Sequence, residues 1–152
     1  MINRRAAAGI AVSASVFVAI VMNEGFSDKA YVPVPGDVPT IGFGSTDGVK
    51  LGDTITAPKA VARALSDIQK YEGALKQCVK VPLSQGEYDA YVSLAYNIGP
   101  GAFCGSTLVK KLNSGDYAGA CQQILIWDKF KGKPLRGLTL RRQREYQLCV
   151  SS

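Results

Sequence analysis

Glu24 is the first residue in this chain whose type and setting could do chemistry. It stands where a long uncharged run gives way to a turn-rich stretch, NEGFSDKAYVPVPGDVPTIGFGST, residues 23–46. A carboxylate, a hairpin punctuated by proline and glycine, and a threonine, Thr40, within one short span suggest a catalytic cleft. The alternative is a surface hairpin with incidental carboxylates. The sequence contains no histidine, which excludes a Ser-His or Cys-His nucleophile and any His-containing zinc site. Acid–base work must then fall to carboxylates, and a carboxyl group set among apolar neighbours is the usual general acid. Asp37 is the only carboxylate within Tyr31–Gly44. Gly42-Phe43-Gly44 has the look of half a nucleotide-binding fingerprint, but the third glycine and a preceding buried parallel strand are missing, so a nucleotide site is rejected.

The elements around these residues must position them. In Tyr31–Gly44 the β-branched residues Val32, Val34, Val38, Thr40 and Ile41 predict strands, and Pro35-Gly36 supplies a turn between them. Prolines 33, 35 and 39 confine those strands to sheet edges. Thr56-Ala57-Pro58 opens a helix over Lys59–Gln77, with Val61, Leu65, Ile68 and Leu75 as its buried face and Lys59, Arg63, Asp67 and Lys70 left for solvent. Ser84-Gln85-Gly86-Glu87 is a capping box that starts a helix running to about Ile98, ended by Gly99-Pro100-Gly101. Ser106 caps a short helix ending at Asn113, and Asp116 caps another over Tyr117–Trp127. Lys129–Gly137 reads as a basic loop and Leu138–Cys149 as a final helix, so that after residue 50 the chain is expected to be all-helical.

At the other end, Arg4 and Arg5 precede Ala6–Met22, seventeen residues without a charge. As one helix this run would be about 25 Å long, a short membrane span with its positive flank left in the cytoplasm. A cleaved signal peptide, a permanent anchor and a marginal span able to leave the bilayer all fit, and the Ala/Gly/Ser content suits the last best. A soluble core helix is the remaining alternative. The 152 residues, 47% apolar and 20% charged, suffice for one domain plus an appendage, and a net charge of +6 favours an anionic partner. Cys78, Cys104, Cys121 and Cys149 form no Cys-x-x-Cys pair, which argues for two disulfides in an exported protein over metal binding or four free thiols. The pairing expected is Cys104–Cys121, clipping neighbouring helices, with Cys78–Cys149 tying the last helix back.

Taken together, Glu24-Gly25, Ala30-Tyr31 and Pro39-Thr40-Ile41-Gly42-Phe43-Gly44 resemble the N-terminal signature of phage-type lysozymes, the muramidase endolysins of tailed phages. The resemblance continues through Ala95-Tyr96-Asn97-Ile98-Gly99-Pro100-Gly101-Ala102-Phe103 and Ser106-Thr107-Leu108 to Arg141-Arg142-Gln143-Arg144-Glu145. The uncharged run resembles a signal-arrest-release segment, which tethers an inactive enzyme until the membrane is depolarised.

The resemblance implies an α+β, mainly helical, two-lobed fold: a small hairpin lobe, a helical lobe, substrate between them, and an N-terminal apolar helix. Residues 1–23 would be the membrane segment and 24–152 the catalytic domain. The family's catalytic set is Glu, Asp or Cys, and Thr, which Glu24 and Thr40 match. The usual position of the Asp is Pro33 here, so either Asp37 serves through a rearranged hairpin or Glu24 and Thr40 act alone; Asp28 and Asp47 are the other carboxylates nearby. Tyr31, Gly42 and Asn97 are the implied substrate contacts. The implied reaction is hydrolysis of the β-1,4 bond between N-acetylmuramic acid and N-acetylglucosamine, without metal or cofactor. The enzyme would act as a monomer on peptidoglycan glycan strands, would not bind nucleic acid, and would be held at the host inner membrane through residues 6–22 before release into the periplasm. The arginines near Arg141 are expected to anchor the final helix through ion pairs. A lytic transglycosylase, which needs one catalytic Glu, and a membrane-anchored envelope-binding module are the alternatives. With no cysteine in residues 1–23, any switch must act by position and not by disulfide exchange.

Overall fold

The computed structural model describes residues 1–151. The chain divides into two compact units, Ala14–Lys70 and Met1–Ser13 together with the chain from Tyr71 on.

The first unit carries the hairpin. Helix α1 (Ala14–Glu24) ends at Gly25, whose φ of 68° is the left-handed turn that commonly terminates a helix. Strands β1 (Ser27–Tyr31) and β2 (Thr40–Gly42) pair antiparallel, Ser27 opposite Gly42 and Tyr31 opposite Thr40, with a bulge between. Lys29 also bridges to Thr54. In the connecting loop Asp37 N donates to Val34 O at 3.0 Å across Pro35-Gly36, and Gly36 (φ 86°) supplies the positive φ of a type II turn.

Helix α2 (Ala57–Cys78) begins within this unit. Its buried residues here are Ala60, Ala64 and Ile68, whereas Val61 and Leu65, expected inside, are 40% and 43% exposed. Asp67, expected in solvent, is buried. The stripe is rotated because the hairpin approaches so closely: a Cβ on Gly42 would lie 3.0 Å from Ala60 Cβ. Only alanine-sized residues fit beneath a strand at that distance.

In the second unit, α3 (Gln85–Ile98) is buried from Glu87 to Tyr96 and packs on α7 (Arg136–Val150) and α4 (Pro100–Cys104). Helices α5 (Thr107–Asn113) and α6 (Tyr117–Ile124) pack together, and α6 also meets α7. The capping box is formed: Ser84 Oγ accepts from Glu87 N at 3.1 Å and Glu87 Oε2 accepts from Ser84 N at 2.9 Å. Ser84→Ala is expected to cost about 1 kcal/mol, read as a lowered thermal midpoint. Gly99 ends α3 with φ 91°, and Pro100 opens α4 immediately, a helix placed where only a stop was expected. The basic loop is in fact a second hairpin, β3 (Lys129–Phe130) with β4 (Lys133–Pro134), turning through Lys131 and Gly132 at φ 51° and 80°. Positive φ at both turn residues matches the twist of a two-residue hairpin.

The disulfides are Cys78–Cys104 and Cys121–Cys149, with Cα separations of 5.7 and 5.8 Å. This overturns the expected Cys104–Cys121 and Cys78–Cys149 pairing. Packing decides it, since α6 against α7 brings Cys121 to Cys149, and Cys104, the last residue of α4, has its Sγ 3.6 Å from Ala74 O near the end of α2.

The N-terminal run is not one helix. It makes a 3-10 turn, Ala7–Gly9, and becomes α-helical only from Ala14, so that no helix among the described residues is long and apolar enough to cross a membrane. Carboxylates of the second unit explain the break. Glu72 Oε1 accepts from Val12 N at 2.7 Å and Asp89 Oδ1 from Ser13 N at 2.8 Å, taking N–H groups that a continuous helix would turn onto its own carbonyls. Arg5 exchanges backbone hydrogen bonds with Leu83 at 2.7 and 2.8 Å. Arg4 donates to both carboxylate oxygens of Glu87 and lies 3.6 Å over the Tyr117 ring. Tyr88 also donates to Glu72, at 2.9 Å; burial and that acceptor push its phenol pKa far above the usual range.

Candidate active site

Glu24 is the last residue of α1 and is half-buried. Because Ser27 pairs with Gly42, the chain leaving Glu24 runs beside the Gly42–Gly44 turn. A Cβ built on Gly44 would stand 3.1 Å from Glu24 Oε2 and 3.4 Å from its Cδ, and Gly44 has φ 85°. Position 44 therefore favours glycine for its backbone, and any Cβ there would press on the Glu24 carboxylate. Phe26 and Phe43 stack with centroids 5.2 Å apart, putting an aromatic pair two residues past Glu24 and one before Gly44.

Thr40 opens β2 and is buried at 7% exposure, its hydroxyl donating to Val38 O at 3.3 Å. Tyr31, its cross-strand partner, is exposed. Asp37 lies three residues before Thr40 on the exposed loop, where its Oδ1 accepts from Val38 N at 2.8 Å. Asp28 is in β1, beyond the end of α1 at Gly25. Asp47 pairs with Lys70 at 3.2 Å on the surface. Gly42 is buried against Ala60. All these residues belong to the first unit. Asn97 belongs to the second, near the end of α3, exposed, with its Oδ1 accepting from Arg142 Nη1 at 2.9 Å.

Gly44, Ser45 and Asp67, none of them marked by the sequence as site residues, also lie at the hairpin. Gly44 abuts the carboxylate, and Ser45 donates to the buried Asp67 at 2.6 Å. The Gly-x-Gly spacing was the available signal for Gly44, since close backbone approach is needed for a carboxylate as much as for a phosphate. Nothing local marks Asp67, whose partner lies 22 positions earlier.

A half-buried carboxylate at a helix end, walled by a glycine turn and followed by a buried threonine on a short hairpin, suits hydrolytic acid catalysis. The family model described as phage lysozyme matches residues 22–145. The endolysin of Acyrthosiphon pisum secondary endosymbiont phage 1 is 46% identical over 133 residues, covering 85% of this chain and 90% of that one. The chain belongs to the phage lysozyme family. It is a glycoside hydrolase of the muramidase type, with a mainly helical, lysozyme-like fold carrying small antiparallel sheets. The SAR-endolysin of Pseudomonas phage phiKMV is 34% identical, with 90% of this chain and 87% of that one covered. Among solved structures, the muramidase domain of SpmX from Asticaccaulis excentricus superposes with a TM-score of 0.83 at 30% identity, covering 93% of this lysozyme and 99% of that domain.

Proposed function

We propose that this lysozyme cleaves the β-1,4 bond between N-acetylmuramic acid and N-acetylglucosamine with Glu24 as general acid, protonating the leaving oxygen. Thr40 and Asp37 hold the attacking water and offset the oxocarbenium charge that develops as the bond breaks. Tyr31, Gly42 and Asn97 serve the glycan, Gly42 by letting the strand close on α2 and Asn97 as an exposed amide oriented by Arg142. The observation that carries the reading is the fit of the Glu24 carboxylate against Gly44 beside the Thr40 strand. Thr40→Ala should lower turnover on purified peptidoglycan by about 10²-fold, the low end of what a positioned proton-transfer group contributes. Asp37→Ala should fall in the same direction; unchanged turnover there would leave Glu24 and Thr40 as the whole set.

Pro33, standing where the family places its carboxylate, favours one rival, a lytic transglycosylase, because that reaction needs no water-holding group. Product analysis separates the two: hydrolysis leaves reducing muramic ends, and anhydro-muramic ends would establish the rival.

Residues 1–23 act as the tether and 24–152 as the catalytic domain, held at the host inner membrane and then freed into the periplasm. Support comes from the uncharged run behind Arg4 and Arg5 and from the name SAR-endolysin borne by the phiKMV relative. The described conformation, with Met1–Ser13 fastened to Glu72, Glu87 and Asp89, corresponds to the freed enzyme. Sequencing the N-terminus of the periplasmic protein tests this, since a chain beginning near Ala19 would mean signal cleavage instead.

A further inference from the structure

Ser45 and Asp67 are a buried polar pair that no step of the proposed reaction uses. Ser45 is 2% exposed and Asp67 9%, and the Ser45 hydroxyl donates to Asp67 Oδ2 at 2.6 Å, at the short end for a hydroxyl–carboxyl hydrogen bond. Ser45 is also fixed through its backbone. Its N donates to Ile41 O at 3.0 Å and its O accepts from Ile41 N at 2.9 Å, closing Gly42–Gly44 into a tight turn. Both glycines in that turn have positive φ, 64° at Gly42 and 85° at Gly44. The turn is thus held at two points of α2, at Ala60 beneath Gly42 and at Asp67 through Ser45. Between those points Gly44 stands against the Glu24 carboxylate.

We propose that Ser45 and Asp67 are a positioning pair, which clamps the Gly42–Gly44 turn onto α2 and thereby fixes where the Glu24 carboxylate sits. This rests on Glu24 being the general acid. Neither residue touches substrate. Both act through Gly44, whose backbone is the wall that Glu24 meets. Without the hydroxyl–carboxylate bond, the turn keeps its two backbone bonds to Ile41 but loses its side-chain tie to α2 at Ser45. The next tie to the helix lies two residues on, at Asp47, which meets Arg63 and Lys70. The wall can then move by a fraction of an ångström or more, and a catalytic group misplaced by such amounts loses rate without losing substrate affinity.

The experiment measures kcat and KM for Ser45→Ala, Asp67→Ala, the double variant and Asp67→Asn on a soluble N-acetylmuramic acid–N-acetylglucosamine polymer. Glu24→Gln is the reference, and all assays are run well below each variant's thermal midpoint. Each single alanine variant should lower kcat about ten- to a hundredfold with KM within about twofold, the scale expected of a displaced catalytic group. The double variant should be no worse than either single, since both remove one bond. Asp67→Asn, whose amide oxygen still accepts from Ser45, should recover most of the lost rate. The proposal is overturned if both alanine variants keep wild-type kcat while Glu24→Gln is inactive, if the loss falls on KM alone, or if Asp67→Asn is as slow as Asp67→Ala. An active Glu24→Gln would instead remove the acid assignment, and the pair's role with it.

Discussion

Glu24→Gln is expected to abolish clearing of peptidoglycan while leaving the protein folded. The change keeps side-chain size, so the amide still fits the space that Gly44 leaves beside Oε2. What it removes is the proton. Glutamine cannot protonate the glycosidic oxygen, and loss of a positioned general acid typically costs 10²–10⁴-fold, at the upper end when the leaving group is an unactivated sugar. Because the chain has no histidine, no neutral-pH acid of that type stands by to substitute. Turbidity loss of a cell-wall suspension, read beside the thermal midpoint, checks the result. A variant that lyses at the wild-type rate with an unchanged midpoint would move the acid elsewhere in the hairpin unit.

Whether Asp37 shares in that loss depends on chemistry the hairpin leaves open. Its Oδ1 already accepts from Val38 N, and its turn is exposed. A carboxylate so placed is free of deep burial and can meet an arriving water without first shedding a buried partner. Thr40 differs, being buried and bound to Val38 O, so in the proposed reaction it would act through geometry fixed before substrate arrives.

Local signals in the sequence located the parts of the fold that local chemistry decides. Ser84-Gln85-Gly86-Glu87 forms its capping box, and Ser106 and Asp116 cap α5 and α6, accepting from Val109 N and Gly119 N. Pro35-Gly36 turns where its residue types demand. Long-range contacts were not legible. The α2 face turned by one position because Gly42 meets Ala60, a contact across 18 positions that no hydropathy period encodes. The N-terminal run looked continuous because its apolar residues are. The carboxylates that interrupt it, Glu72 and Asp89, sit on α2 and α3, some 60 and 76 positions away. The disulfides failed for the same reason, since adjacency in sequence said nothing about α6 lying on α7. At the candidate site, type and motif singled out Glu24 and Thr40, whereas the Ser45–Asp67 bond needed the packing of hairpin on helix.

Arg142→Met is the substitution expected to damage stability most. Arg142 has no exposure, and its Nε lies 2.7 Å from Glu145 Oε2, itself a buried carboxylate one turn along α7. Ser93 on α3 donates to Glu145 Oε1 at 2.6 Å, and Arg141 Nε lies 3.4 Å from the same oxygen. Removing Arg142 leaves the Glu145 charge with a weaker set of partners inside the α3–α7 core. Breaking a buried pair in this way costs about 3–5 kcal/mol, more than the pair contributes as a whole. Arg142→Met with Glu145→Leu should therefore recover part of the loss, which no simple loss of arginine packing would do. The pH dependence has a definite sign. Burial raises the Glu145 pKa, while Arg142, Ser93 and Arg141 oppose that rise. A carboxyl group raised above its unfolded value contributes stability that is fully present below the unfolded pKa and is lost as pH rises through the folded one. With Arg142 gone the rise is larger, so the deficit of Arg142→Met should be greatest at neutral pH and should narrow as pH falls below the ordinary glutamate range. Denaturant midpoints across that interval test it. A deficit constant with pH would mean that the lost methylene and guanidinium packing of Arg142, and not the stranded charge, is what holds α7 to α3.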